Sequence, residues 1–269
     1  MVRPRGRSDG ERADVVAPLA RLARSVRAAA APGRAVVARS GFTLYLALDD
    51  PQPHLSLAVP DDEAPPDWGA ALAALPDAFA VHGRSARIEA FAELHPGLLA
   101  AADAAGWRRS STAPVMTLEP GALAPAPPAA GRYRPLDPDE APRLVAALRG
   151  AHLAFGGAAD DPAALAWLHA LTRGLREGRI DGGAVDVAGT PRAGGVVMRG
   201  GDAGELAGVW THPDHRRRGL ARQACHALLD AAFASGLPLA WLSAAEGALA
   251  LYASLGFARV GTQVNLDPP

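Results

Sequence analysis

The segment EPGALAPAPPAAGR, residues 119–132, constrains this chain more than any other. Proline has no N–H to donate to a ladder, and alanine and glycine offer little surface to a core. Such a stretch can join two bodies but builds neither, and it reads as a semi-rigid linker. On either side lie pieces of similar size, 14–119 and 132–267, each long enough for a domain. The first residues, MVRPRGRSDGER, are basic, and no apolar core follows them. They are not a secretory signal, and residues 1–13 read as a disordered tail.

The second piece has clear punctuation. Apolar residues Leu144, Val145, Leu148 and Leu153 recur on one broad face and predict a helix over 142–155. Asp161-Pro162 is a helix start, followed by a helical pattern over 163–176. Gly-rich turns then delimit GAVDVAG, GGVVMRG and GELAGVW as a meander of strands. A helix follows over 220–236 and stops at Gly236. PLAWLS is a strand, EGALALYASLGF a helix ending at Gly256, and ARVGTQVNL a last strand.

The first piece is a fainter version. FTLYLAL and PHLSLAV alternate as hairpin strands do, ARIEAFAE is a strand, HPGLLAAADAAGW a helix, and VMTLEP closes the piece. LLAAADAAGWRRS and LALYASLGFARVG share one plan: apolar helix, glycine, aromatic, arginine, strand. This reads as a diverged internal repeat.

Composition excludes several classes. Hydrophobic residues make up 49% and charged residues 20%, as in a soluble globular protein. The formal net charge is -1, which points to neither nucleic acid nor a membrane surface as partner. No window approaches the roughly 20 apolar residues of a membrane helix. The single cysteine, Cys225, excludes an intramolecular disulfide and a thiolate zinc cluster, and a reducing cytoplasm is the natural compartment. Cys225 shares a helix face with Leu228, Leu229 and Ala232 and reads as buried packing. His212, His215 and His226 lack the His-Glu-x-x-His spacing, so no metal is expected. Asp160-Asp161 reads as a helix cap, with contact to a cationic acceptor as the alternative.

The stretch VWTHPDHRRRGLA, 209–221, carries the chemistry. Every strong cation of the chain is arginine, with no lysine, so the arginine run alone is a weak signal. Its setting is stronger. A strand runs into a loop and the loop directly into a helix, whose first N–H groups and positive dipole end suit a phosphate. Gly219 and small Ala221 let the backbone approach closely, and the arginines add contacts at the rim. The P-loop pattern is not there.

Arg216-Arg217-Arg218-Gly219-Leu220-Ala221 resembles the R/Q-x-x-G-x-G/A loop of the GNAT acyltransferase superfamily. Val209-Trp210-Thr211-His212-Pro213 resembles the strand that leads into that loop, and Leu251-Tyr252-Ala253-Ser254-Leu255-Gly256-Phe257 the Tyr-x-x-x-Gly-Phe signature. The resemblance covers about half the chain. It implies an α/β fold of two GNAT-like mixed sheets with flanking helices, joined by the linker. It implies an N-acetyltransferase that moves acetyl from acetyl-CoA directly to an amine of a small-molecule or peptide acceptor. Val209, Trp210, Thr211, Arg216, Arg217, Arg218, Gly219, Leu220, Ala221 and Arg222 would then hold the co-substrate. Tyr252 would protonate the departing thiolate. Glu205, a carboxylate on the strand that leads into the loop, would take the amine proton. The chain departs from the family where many relatives carry Asn upstream of the Tyr and this one has Ala245. The first piece lacks the loop, and Ala102 stands in the place of the Tyr, so 14–119 resembles a degenerate half. The competing reading is an acyl-CoA sensor or scaffold without turnover. Neither the acceptor nor the oligomeric state is legible.

Overall fold

The computed structural model describes residues 9–48, 55–158 and 160–269. The chain forms two compact units that interleave along the sequence. The first takes residues up to Met116, then Ser243–Glu246 and Arg259–Pro269; the second takes Thr117–Leu242 and Gly247–Ala258. This differs from a linear division into 14–119 and 132–267, because the last strand leaves the piece that encodes it.

In the first unit, α1 (Asp9–Ala30) precedes β1 (Ala35–Arg39), β2 (Phe42–Leu46) and β3 (Leu57–Pro60). Next come α2 (Trp68–Ala80), β4 (Ile88–Phe91), α3 (Pro96–Ala104) and β5 (Arg108–Leu118), which ends just beyond the unit. The strand β11 (Ala258–Asp267) joins them, in the order β1-β2-β3-β4-β11-β5. The sheet is mixed: β2–β3 and β4–β11 are antiparallel, β3–β4 parallel. Alternation along β2 sets its two faces. Phe42, Leu44 and Leu46 pack with Leu72, Phe79 and Leu98, while Tyr45 joins Ala30 and Val59 in a separate cluster.

The tail expected through residue 13 is corrected from Asp9 onward, where α1 begins; residues 1–8 lie outside the described residues. Leu19, Leu22 and Ala23 are buried, the i, i+3, i+4 stripe that seats this helix. Helix α2 starts where the Asp67 carboxylate accepts from the Gly69 and Ala70 N–H groups.

The second unit runs β6 (Arg132–Pro135), α4 (Ala141–Ala154), α5 (Leu168–Arg176), β7 (Ile180–Val187), β8 (Thr190–Gly200) and β9 (Ala203–Thr211). It continues with α6 (Leu220–Ala234), β10 (Ala240–Ser243) and α7 (Leu249–Ala253). Its strands lie in the order β10-β9-β8-β7-β6. The meander β7–β8–β9 is antiparallel and β9–β10 parallel. Leu144, Ala147, Leu171, Ala184 and Trp210 form one core, and Val185, Ala193, Leu220 and Ala224 another. Neighbours Ala184 and Val185 of β7 fall in different cores, as strand alternation requires. The expected helix 163–176 is interrupted: a 3₁₀ turn, Pro162–Leu165, precedes α5. Asp161 caps that turn from the Ala163 N–H and accepts from or donates to His152 Nε2 at 3.0 Å. The contact also holds its carboxyl below the usual range, after the Ala163 N–H bond that is the larger cause.

The Pro/Ala segment is not a free linker. Gln223 Oε1 accepts from the Ala130 and Gly131 N–H groups at 2.8 and 3.1 Å, and its Nε2 donates to Gly131 O. His226 Nε2 lies 3.0 Å from Ala124 O. Both side chains project from α6 one turn apart, so the segment is strapped along that helix. The repeated helix–glycine–aromatic plan is visible in matching turns. The Trp107 N–H returns to Ala102 O, and the Phe257 N–H to Tyr252 O. Among the described residues no helix is long and apolar enough to cross a membrane.

Helix α4 is anchored by Arg143, whose Nη1 donates to both Asp186 oxygens at 2.8 and 2.7 Å, with both side chains buried. Asp186→Asn removes the buried anion and leaves the guanidinium to the partly exposed Glu140 carboxylate, 4.0 Å from its Nε. The expected loss is about 3–5 kcal/mol of unfolding free energy, measured by urea titration; a change under about 1 kcal/mol would show that the pair does not anchor α4.

Candidate functional site

The site is built where β9 hands over to α6. Opposite β8, Gly194 pairs with Trp210 and Val196 with Ala207, so β9 spends one extra residue between them. Gly208 sits in this bulge with a positive φ of 56°. The extra residue turns Trp210 onto the face shared by Ala207. There the indole joins Leu144 and Ala147 of α4. The helix lies so close that a Cβ on Gly150 would stand 2.7 Å from the ring. The Trp210 side chain is therefore core, and only its backbone is available to a ligand.

On its other edge β9 meets β10 only at Gly204 and Glu205, opposite Ala240 and Trp241. The two parallel strands then part. Past the bulge, β9 presents a strand edge whose amides and carbonyls suit an extended, amide-bearing ligand.

After Thr211 the chain makes a 3₁₀ turn, Pro213–His215, and then a tight reversal. Arg217 has a left-handed φ of 64°, an uncommon conformation for a side-chain-bearing residue. Gly219 follows at φ 78° as the N-cap of α6. Having no side chain, it caps nothing. The first helical bond is from the Gln223 N–H to Gly219 O at 3.0 Å. The N–H groups of Leu220, Ala221 and Arg222 thus have no helical acceptor. The nearest atom to a Cβ built on Gly219 is Ala130 Cβ at 4.0 Å, so the backbone is open to close approach. Uncapped amides, an open glycine and the helix dipole make an anion cradle.

The predicted loop residues divide by role. Leu220 is buried and fixes the helix start in the core. Ala221 is half-buried, and Arg217 and Arg218 are exposed. Arg216 Nη2 donates to Ala154 O at 2.9 Å, tying the loop to the end of α4. Arg222 Nη2 lies 3.4 Å from Ser254 O, which brings the first turn of α6 beside α7. Tyr252 on α7 is 8% exposed, with its ring edge-on to Phe257 at 6.0 Å. Burial, and then nearby Cys225, raise its pKa well above the ordinary value, so the hydroxyl stays a proton donor. Cys225 is buried on α6, and burial pushes its thiol up to about 12; it is packing, as expected from its helix face. Glu205 lies before the bulge, opposite Met198. It stands about 13 Å from Val209 along the strand, at roughly 3.3 Å per residue. Sequence reasoning missed the strap residues Gln223 and His226, and Arg192, whose main chain receives the His212 N–H at 2.8 Å. These are long-range contacts with no local pattern.

Residues 132–257 match the model of the acetyltransferase (GNAT) family. Residues 132–257 form a domain of the GNAT superfamily. Membership supports acyltransferase chemistry in general. Among solved structures, the chain is similar to a GCN5-related N-acetyltransferase from Kribbella flavida, at 27% identity and TM-score 0.77, covering 93% of this chain and 95% of that one. It shares the fold of a tandem GNAT protein from the clavulanic acid biosynthesis pathway, at 21% identity and TM-score 0.57, covering 96% and 93%. It shares the fold of another GCN5-related N-acetyltransferase, from Sphaerobacter thermophilus, at 16% identity and TM-score 0.61, covering 95% and 92%. The comparison with curated proteins found no match.

The chain has three tyrosines, and burial is the largest cause raising each: Tyr45, Tyr133, which reaches about 12, and Tyr252. Absorbance titration at high pH should show the native tyrosinate steps displaced above the ordinary value, and a full step near ~10 on unfolding. The unfolded chain loses these protons first, so stability falls as pH rises above about 10. A native step at the ordinary value would place the phenols in water.

Proposed function

We propose that the protein is an N-acetyltransferase. It moves acetyl from acetyl-CoA directly to an amine of a small-molecule or peptide acceptor, acting in the cytoplasm. The observation that carries this reading is the uncapped start of α6 behind Gly219, beside the free edge of β9. The pyrophosphate takes the amides of the cradle, with Arg217 and Arg218 at its rim, and the pantetheine arm lies along Val209–Thr211. The catalytic half is 132–267, and 14–119 is a degenerate GNAT-like half without a cradle.

The reacting amine needs its lone pair, and a free alkylamine has a pKa near ~10. Glu205 takes its proton through water, given the distance along β9. The nitrogen attacks the thioester carbon, and the carbonyl oxygen gains charge that a β9 amide near Trp210 or Thr211 stabilises. The C–S bond then breaks. The thiolate receives a proton from Tyr252, and the proton held by Glu205 returns to the phenolate. Burial keeps the hydroxyl protonated, so its O–H is available to donate to the sulfur as negative charge builds there.

Two variants separate binding from chemistry. Gly219→Glu adds bulk and like charge at the cradle and should abolish acetyl-CoA binding in a folded protein, measured by calorimetry. Unchanged affinity there would refute the cradle. Tyr252→Phe keeps the ring and removes only the proton, so single-turnover rates should fall by ~10²–10⁴ with affinity nearly unchanged. Wild-type rates would leave Tyr252 as packing. Thiol release across a panel of amines tests turnover itself; binding with no release from any of them would instead mark an acyl-CoA sensor.

A further inference from the structure

Upstream of the cradle, four basic side chains converge from strand β8 and the loop after β9. His212 and His215 stack edge-to-face at 5.5 Å and 88°. Arg192 reaches them from β8, where its main chain is tied to His212, and Arg218 from the loop. Nε of Arg192 and Nδ1 of His215 are buried, and among the described residues neither has a hydrogen-bond partner. The carboxylate in this group is that of Asp214, which is exposed and lies 3.8 Å from His212 Nδ1. Burial first, and then Arg192, Arg218 and His212, hold the His215 imidazole below its usual range, with Asp214 acting the other way. Cations gathered around one ring repel one another, and a multiply charged anion relieves the repulsion.

We propose that Arg192, His215 and Arg218 form a subsite for a phosphomonoester, the 3′-phosphate on the ribose of CoA, beside the cradle for the pyrophosphate. The inference rests on the reading of that cradle as a CoA site. Once the pyrophosphate is placed, the 3′-phosphate is the charge of the co-substrate still without a partner. It carries nearly two negative charges at neutral pH and three acceptor oxygens. The half-buried guanidinium of Arg192, the exposed one of Arg218 and the imidazole of His215 supply matching donors. His215 takes up a proton as the phosphate arrives and becomes a further cation.

Calorimetry on the full chain, with acetyl-CoA and 3′-dephospho-acetyl-CoA, tests the subsite. The wild type should prefer the 3′-phosphate by about tenfold to hundredfold, the range of a hydrogen bond to a charged group. Arg192→Gln and His215→Gln should each shrink that preference while leaving affinity for the dephospho compound unchanged. Equal wild-type affinity for the two compounds overturns the subsite and leaves the cradle standing, whether or not the variants fold. A preference kept intact in both folded variants overturns the assignment of these residues. If neither compound binds, the CoA reading falls and the subsite with it.

Discussion

The backbone of Gly219 governs what this fold can do. Its left-handed conformation ends the loop after β9 and starts α6 in one residue, with no side chain to cover the first turn. Serine, threonine or aspartate at an N-cap would satisfy one of those amides and remove it from use. The helix therefore begins with unmet donors, and its remaining stability comes from the buried Leu220, Ala224, Leu228 and Leu229. A helix seated by its core face can leave its N-terminus bare.

The surrounding framework holds that junction in place. The bulge at Gly208 lets β9 present Trp210 to α4 instead of the opposite core, so the strand edge is fixed by a large buried ring. Arg143 and Asp186 lock α4 to β7, and Arg216 ties the loop to the end of α4. From the other side, Gln223 and His226 bind the Pro/Ala segment along α6. The loop is thus pinned at its approach, its middle and its exit. An uncapped helix start draws on that support, because no side chain bonds its first amides.

Much of this was legible in the sequence, for local reasons. The glycine-bounded meander, the helix over 220–236 and the strand–loop–helix stretch at 209–221 follow from turn residues and periodicity, which act over a few positions. The helix–glycine–aromatic plan at Gly106 and Gly256 was legible because a left-handed helix end demands it. What was not legible depends on distant partners. The opening helix α1 is arginine-rich and looks like a tail until Leu19 and Leu22 find a core. Residues 119–132 look like a linker because proline and alanine carry no sign that Gln223 will hold them. The exchange of β11 into the first unit cannot be seen in a linear reading. Within the site, the cradle residues form one contiguous run. Arg192 and His215 meet only because β8 returns beside the loop.

The central claim is that the amides at the start of α6 hold the pyrophosphate of acetyl-CoA. Amide hydrogen exchange read by mass spectrometry, with and without acetyl-CoA, addresses those donors directly. Protection should appear over 209–223, concentrated at 217–222, and leave 35–60 unchanged. Protection confined to other segments, or none at saturating acetyl-CoA, would contradict the account.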